Sequence, residues 1–354
     1  MGMSVDQTHT HSTMRAIGAR QTLPTTSPDC LIEFETDLPS AGPLDVIVNI
    51  AAVGVNPVDT KIRSSLGNEP MSTPRILGWD AAGTIVSVGS AVTQFKPGDE
   101  VFYAGDLTRP GSNAEFQAVD SRLIAKKPSS WTFAEAAALP LVTLTAWELL
   151  FERMGVSPTG ADSGKTLLII NGSGGVGSAM IPLAISAGLQ LVATASREET
   201  RAWCRNLGAT QLLNHREPLR PQAEALGITE FSFIANLHDT DAYWKTTADL
   251  IAPLGTIGLI VEPKGDLSLG DPLKAKCVRI AWEFMAARAK FQTSDMHRQG
   301  EILHEIAARC EAGTFPKLNT HTFSSITAAH LREAHQAMEK SSAIGKWVLQ
   351  NFKH

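Results

Sequence analysis

The stretch LLIINGSGGVGSAMIPLA, residues 167–184, constrains the chain more than any other. An apolar run ends abruptly at Gly172, Gly174 and Gly177, and a helix-forming segment follows at once. This is GxGxxG in the strand–turn–helix context that gives the motif its meaning. Gly172 is expected to permit the tight turn, Gly174 to let main chain approach a pyrophosphate, and Gly177 to let the helix pack closely on the strand. Ser173, Gly175 and Val176 complete a cradle of main-chain donors. The helix start adds unpaired N–H groups and the positive end of its dipole. The bland alternative is a glycine-rich connector that holds no ligand.

The surroundings favour the dinucleotide reading. Apolar runs TLLII (166–170), LQLVATA (189–195), FSFIANL (231–237) and GTIGLIV (255–261) alternate with helix-like segments. Strands apolar on both faces belong in a parallel sheet covered on both sides. Right-handed crossovers then give an α/β, doubly wound Rossmann domain. CVRIAWEF (277–284) is expected to extend its edge. Residues 14–127 read differently. DVIVNIAAVGV (45–55), GTIVSVGS (83–90) and EVFYAG (100–105) are β-branched runs between Gly, Pro and Asp turns, the pattern of a small barrel-like β domain. Pro140 should split 131–155 into two helical pieces. Ile302, Leu303, Ile306 and Ala307 follow helical spacing up to a stop at Gly313, and KWVLQ closes the chain as a strand that could return to the β domain.

Composition excludes several classes. A length of 354 residues suggests two domains. With 31 Lys+Arg against 36 Asp+Glu, the net charge of −5 gives no electrostatic reason to expect nucleic acid or an anionic membrane. Cys30, Cys204, Cys277 and Cys310 stand apart, so no CxxC pair exists and reduced thiols in a cytoplasmic protein are expected. No apolar stretch reaches the roughly 18–20 residues of a membrane helix. Residues 1–13 form a polar tail without a secretory h-region, and its His9 and His11 read as solvated rather than metal-binding.

The second strand of the α/β unit decides the cofactor. A strand serving NAD usually ends in Asp or Glu for the ribose 2′-OH. Here LVATA runs into Ser196 and Arg197, a hydroxyl and a guanidinium suited to a 2′-phosphate, so NADPH is expected. His215 beside Arg216 could add a second contact; in the alternative, Glu198 or Glu199 serves the ribose. Leu237, His238, Ile260 and Val261 end later strands, the edge where open α/β sheets bind ligands. His238 is either a proton donor or an exposed loop residue.

VGVNPVDTKIR (53–63), GWDAAGTIVSVGSAVTQFKPGDEVF (78–102), AAALPLVTLTAW (136–147), NGSGGVGS (171–178) and GATQLLNHRE (208–217) together resemble the medium-chain dehydrogenase/reductase superfamily, in its zinc-independent quinone oxidoreductase branch. WEFMAARAKFQTSDM (282–296) is similar to a subgroup labelled zinc-type alcohol dehydrogenase-like. The resemblance implies a GroES-like catalytic domain from 14–144 and 287–354 around a Rossmann domain at 145–286. It implies no metal: where zinc-dependent relatives carry a Cys, a GHE motif and a later Cys or Asp, this chain reads Val55, Asn56 and Asp59, then Gly78, Trp79 and Asp80, then Leu141, Val142 and Thr143.

The resemblance also implies the chemistry: hydride passes from reduced nicotinamide to a quinone or enone, whose conjugation spreads the developing charge. Asn56 is implied near the nicotinamide and substrate, as a donor or a positioning group, with Asp59 ordering its loop. Thr143 and Thr145 fall where relatives contact the cofactor, although mid-helix hydroxyls also bond back to the preceding turn. Tyr103 and Trp79 are candidate substrate walls, with ordinary core packing as the alternative. A homodimer paired through CVRIAWEF is implied. An alcohol dehydrogenase or carbonyl reductase, and a non-catalytic NADPH-binding protein, stand as the other readings.

Overall fold

The computed structural model describes residues 13–352. The tail expected at 1–13, with His9 and His11, therefore lies outside the described residues except for Thr13, which opens the first strand.

The first half of the chain is β-rich, as its alternating pattern requires. Its strands are β1 (Thr13–Ala19), β2 (Ile32–Asp37), β3 (Asp45–Val55), β4 (Arg75–Ile76), β5 (Ala81–Val88), β6 (Glu100–Tyr103), β7 (Phe116–Asp120) and β8 (Ile124–Lys126). Helix α1 (Pro57–Ser64) starts directly after β3, with Asn56 at its N-cap and Pro57 in its first turn. Asn56 thus stands at the junction of the longest strand and a helix, held extended ahead of a proline.

Pro140 does divide the connecting segment. Helix α2 (Phe133–Ala137) ends before it, α3 (Pro140–Trp147) begins on it, and a π-helical run follows at Glu148–Arg153.

The α/β unit then contributes β9 (Thr166–Ile170), α4 (Gly175–Ser186), β10 (Gln190–Thr194), α5 (Glu198–Asn206), β11 (Gln211–Leu213), α6 (Leu219–Ala225), β12 (Phe231–Asn236), α7 (Thr240–Leu250), β13 (Ile251–Leu259) and β14 (Arg279–Trp282). The six strands are parallel in the order β11-β10-β9-β12-β13-β14. This is the dinucleotide-binding order, with its switch point between β9 and β12. Register aligns the strand ends: Ile169 faces Ala193, Ile170 faces Asn236, and Asn236 faces Leu259. The chain leaves all of them at one edge. The expected edge strand at 277–284 is shorter, Arg279–Trp282: Cys277 adopts a positive φ of 50° that an extended chain cannot use, and pairing with β13 ends at Trp282.

After α8 (Ala287–Lys290) and α9 (Arg298–Glu311), which stops before Gly313 as its spacing predicted, the chain returns through β15 (Asn319–Phe323), α10 (Ala328–Glu339) and β16 (Lys346–Gln350). Strand β16 pairs antiparallel with β3, Trp347 opposite Val55, so the last strand completes the first domain's sheet.

One buried ionic cluster fastens the two halves. Arg288 reaches Glu148 at 2.8 Å, Glu152 at 2.7 Å and Asp295 at 3.0 Å. Arg153 binds Glu148 at 3.2 Å and Glu283 at 2.9 Å. Burial, then the neighbouring Glu148 carboxylate, pushes Glu283 up to about 9, and the two carboxyls share a hydrogen bond. Removing one partner of such a set strands charge in a low-dielectric interior. Arg288→Ala is expected to destabilise the protein by about 3–5 kcal/mol in denaturant titration. A loss below about 1 kcal/mol would mean water replaces the guanidinium.

Candidate functional site

The glycine turn links β9 to α4. The positive φ of 70° falls on Asn171, which tolerates the left-handed region, and not on Gly172. Gly172 lies in this turn, and a Cβ there would lie 2.8 Å from the Ala193 Cβ, so close approach to β10 also excludes a side chain. Gly177 behaves as expected, since its Cβ would stand 2.4 Å from the Asn171 carbonyl oxygen. A Cβ on Gly174 would meet the Asn171 side chain at 2.7 Å. Helix α4 starts at Gly175 without a side-chain cap among the described residues, which leaves its first N–H groups free for a phosphate. Ser173 accepts a hydrogen bond from the Gly345 N–H at 2.9 Å, and Val176 sits in the first turn of α4.

The residues beyond β10, β11 and β12 gather positive groups. Ser196 and Arg197 leave β10, and Arg197 pairs with Glu199 at 3.1 Å. His215 follows β11; burial, then Arg216, His238 and Arg197, holds its imidazole below the usual histidine value. Its buried Nδ1 has no partner among the described residues. Leu237 and His238 leave β12, and Ile260 and Val261 leave β13, with the Thr240 hydroxyl donating to the Val261 carbonyl. Leu237 is buried and His238 exposed.

On the β domain's side, Asn56 is the centre of a buried polar knot. Its Nδ2 donates to Asp80 Oδ2 at 2.8 Å, and its Oδ1 accepts from Lys346 Nζ at 2.5 Å. Lys346 also donates to Asp80 Oδ2 at 2.8 Å and to the Val55 carbonyl at 3.0 Å. Asp80 Oδ1 accepts the Leu141 N–H at 2.7 Å. Asp59 Oδ2 accepts the Asn56 N–H at 2.8 Å, which is the loop-ordering bond expected of it. Its Oδ1 is buried without a partner among the described residues. Burial pushes Asp59 up to about 7, against the pull of the Asn56 N–H and Lys346. Burial also raises Asp80, opposed by Lys346.

Three expected contacts are spent elsewhere. The Thr143 hydroxyl donates to the Leu139 carbonyl at 2.9 Å and that of Thr145 to Leu141 at 2.7 Å, the helix back-bonding alternative. Tyr103 is 1% exposed and donates to Gln117 Oε1 at 3.0 Å, which supports the core-packing alternative for it. Trp79 is equally buried, with Nε1 on the Asp106 carbonyl.

The donor set does not fit zinc. Trp79 has no ligating atom, and both Asp80 oxygens are taken, one of them by an ammonium. No three His, Cys, Asp or Glu side chains cluster as a metal site among the described residues. None of the described helices is long and apolar enough to cross a membrane.

Lys346 escaped the sequence reading. The signal was faint: in KWVLQ it shares a face with the buried Val348, two residues on.

Comparison with known proteins follows the same lines. Residues 42–129 match the alcohol dehydrogenase GroES-like domain, and 207–349 match the zinc-binding dehydrogenase domain. A zinc-type alcohol dehydrogenase-like protein of Staphylococcus aureus (strain COL) is 41% identical over 317 residues, 89% of this chain and 93% of that one. The chain belongs to the medium-chain dehydrogenase/reductase superfamily. A Rhizobium etli CFN 42 protein provisionally described as a zinc-dependent alcohol dehydrogenase superposes with a TM-score of 0.91 at 40% identity, covering 97% of this chain and 99% of that one. Escherichia coli quinone oxidoreductase complexed with NADPH superposes with a TM-score of 0.78 at 23% identity over 95% of this chain and 100% of that one, a likeness of fold alone. The GroES-like and Rossmann domains expected from the residues are those of this family of oxidoreductases.

The Asp59 titration sets a pH dependence. Unfolded, an aspartate titrates near 3.9. Folded, Asp59 holds its proton up to about 7. Between those values the native state binds the extra proton, so this group's contribution to stability falls as pH rises and is level above the folded value. Asp59→Asn should therefore gain on the wild type by about 2–3 kcal/mol between pH 5 and pH 8 in parallel denaturation series. Two curves that stay parallel would show that Asp59 is ionised throughout.

Proposed function

We propose that the protein is a cytoplasmic, NADPH-dependent reductase that passes hydride to a quinone or an α,β-unsaturated carbonyl without a metal. The observation that carries this reading is the buried knot in which the carboxylate aligned with the family's zinc-ligand motif, Asp80, is held by Lys346 and by the Asn56 amide. Fixed donors there can stabilise the charge that develops on a conjugated acceptor, with no cation required.

When bound, the nicotinamide would supply the hydride. The chain's residues do the rest. Main-chain N–H groups from Gly175, Val176 and Gly177 would hold the diphosphate at the start of α4, with Gly174 letting the main chain come close to it. Arg197, with Ser196 and the His215–Arg216 pair, receives the 2′-phosphate once the guanidinium exchanges its Glu199 partner. Leu237, His238, Ile260 and Val261 line the nicotinamide end. Thr143 and Thr145 shape the floor between the domains without donating to the ligand. Asn56 offers its remaining N–H to the acceptor's oxygen. At 1% exposure it meets that oxygen only when the domains part and close again, which also excludes water. We place the domain boundaries at 144/145 and 286/287.

A second reading, an alcohol dehydrogenase or carbonyl reductase, draws support from the zinc-type names of the relatives. NADPH absorbance followed against quinones, enones and aldehydes in parallel separates the two. Stoichiometric zinc in the purified protein, with activity lost to a chelator, would sink the metal-free reading. Stoichiometric NADPH binding with no acceptor in the panel reduced would favour a non-catalytic role.

Arg197→Glu is expected to weaken NADPH at least tenfold more than NADH in fluorescence titration, since it replaces a phosphate-pairing cation by a repelling carboxylate. Equal losses would remove Arg197 from 2′-phosphate recognition.

The edge of the α/β sheet supports a homodimer. Strand β14 ends the sheet, and Ile280, Trp282 and Phe284 are 37%, 46% and 47% exposed. Unpaired edges with apolar side chains invite a second strand. Light scattering should give twice the chain mass for the wild type and a monomer for Ile280→Lys. A monomeric wild type at micromolar concentration would refute the pairing.

A further inference from the structure

We propose that Lys346 is a positioning residue: with Asp80 it locks the Asn56 amide in one orientation, leaves a single N–H for the substrate, and ties that amide to the phosphate-binding turn. The catalytic part rests on the reductase reading above; the lock itself does not.

Counting donors and acceptors fixes the orientation. A lysine ammonium has three N–H donors and no acceptor. All three are used, on Val55 O, Asn56 Oδ1 and Asp80 Oδ2, at 3.0, 2.5 and 2.8 Å. Lys346 therefore has nothing left to give a substrate and acts only through its partners. The Asn56 amide has one oxygen and two N–H groups. Its oxygen meets the ammonium and one N–H meets Asp80 Oδ2 at 2.8 Å. Turning the amide over would set its NH₂ against the ammonium and its oxygen against the carboxylate. Both contacts would be repulsive, so chemistry permits one orientation. The backbone is fixed too, because the Asn56 N–H is held by Asp59 at 2.8 Å. One Nδ2–H remains, and its direction is set by the other three bonds.

The same lysine joins this amide to the cradle. Gly345, its neighbour, donates to the Ser173 carbonyl at 2.9 Å. A Cβ on Gly175 would lie 3.2 Å from Lys346 Cδ, so the lysine stem lies against the start of α4. Strand β16 thus begins at the turn that holds phosphate and reaches, through one side chain, the amide that faces the acceptor. Lys346, Asn56 and Asp80 are all essentially buried, at 2%, 1% and 0% exposure, so solvent cannot take the place of any partner.

Two measurements test this on the full-length protein. In the first, asparagine-selective ¹⁵N labelling reads the Asn56 side-chain amide, assigned by its loss in Asn56→Ala. In the wild type its two protons should be widely separated and slow to exchange, and in Lys346→Met they should move toward those of a free amide. A wild-type Asn56 already like an exposed asparagine would overturn the lock. The second is a kinetic double-mutant cycle on the best acceptor. Lys346→Met should lower kcat by about 100-fold, the scale of a misaimed donor, with NADPH affinity within about threefold of wild type. Adding Asn56→Ala to Lys346→Met should cost no more than Asn56→Ala alone. Losses that multiply, or a Lys346→Met effect confined to KM or melting temperature, would overturn the positioning role. Should Lys346→Met not fold, Asp80→Asn reads the same lock from its other tether, with the same expected outcomes. A wild type that locks Asn56 but reduces no acceptor would refute the reductase reading and leave the lock standing.

Discussion

The ion pair between Lys346 and Asp80 carries the rest of the architecture. Both are buried, and charges out of water persist only where each is paired and hydrogen-bonded. Here the requirement spans the chain: the lysine is contributed by the last strand, the aspartate by residues just before β5, and the shared amide by the start of α1. None of these elements can move independently without stranding a charge. The closing strand is therefore more than an added edge, and its pairing with β3 is what brings residue 346 to residue 56.

A second buried set does comparable work between the two domains, by different chemistry. Around Asp80 one cation faces one carboxyl, while Asp59 nearby holds its proton near neutrality. Around Glu148 and Glu283, two carboxyls share a hydrogen bond and two guanidinium groups surround them. Glu148 opens the π-helical run, and Arg153 ends it. A π turn is a costly way to continue a helix and usually marks a site with a purpose. Here it places both ends of one turn on the same carboxyl pair, beside the end of β14 and ahead of α8. The Glu148 set thus joins the two domains, whereas the Lys346 knot holds together elements of the first.

What could be read from the residues, and what could not, follows from how local each feature is. Strands β9, β10, β12 and β13 are continuous apolar runs, and the helices between them carry their own spacing, so the α/β unit was legible without any long-range knowledge. The glycine-rich turn between β9 and α4 was legible for the same reason. Its internal division of labour was not: the left-handed residue is Asn171, and the need for glycine at 172 comes from the close approach of Ala193, which is a property of the sheet. Tyr103 stayed ambiguous because an aromatic next to a turn looks the same in sequence whether its hydroxyl faces a ligand or Gln117. Lys346 was invisible because the partners that justify a buried ammonium lie some 290 residues away along the chain.

That difference bears on how a family named for zinc can contain this site. Replacing the ligand motif's acid by Asp80 would leave a buried carboxylate in need of a counter-charge if no metal is bound. Lys346 supplies one, and the geometry it imposes has a consequence a metal would not share. A bare cation polarises whatever oxygen approaches it, whereas the ammonium is saturated by three fixed acceptors and passes its influence on only through the Asn56 amide. The site thereby trades strength for direction. A single aimed N–H is weak support for an isolated alkoxide, and adequate for a charge already spread over a conjugated system. On the reductase reading proposed above, the electrostatics of the knot would favour acceptors that delocalise their own charge over simple carbonyls.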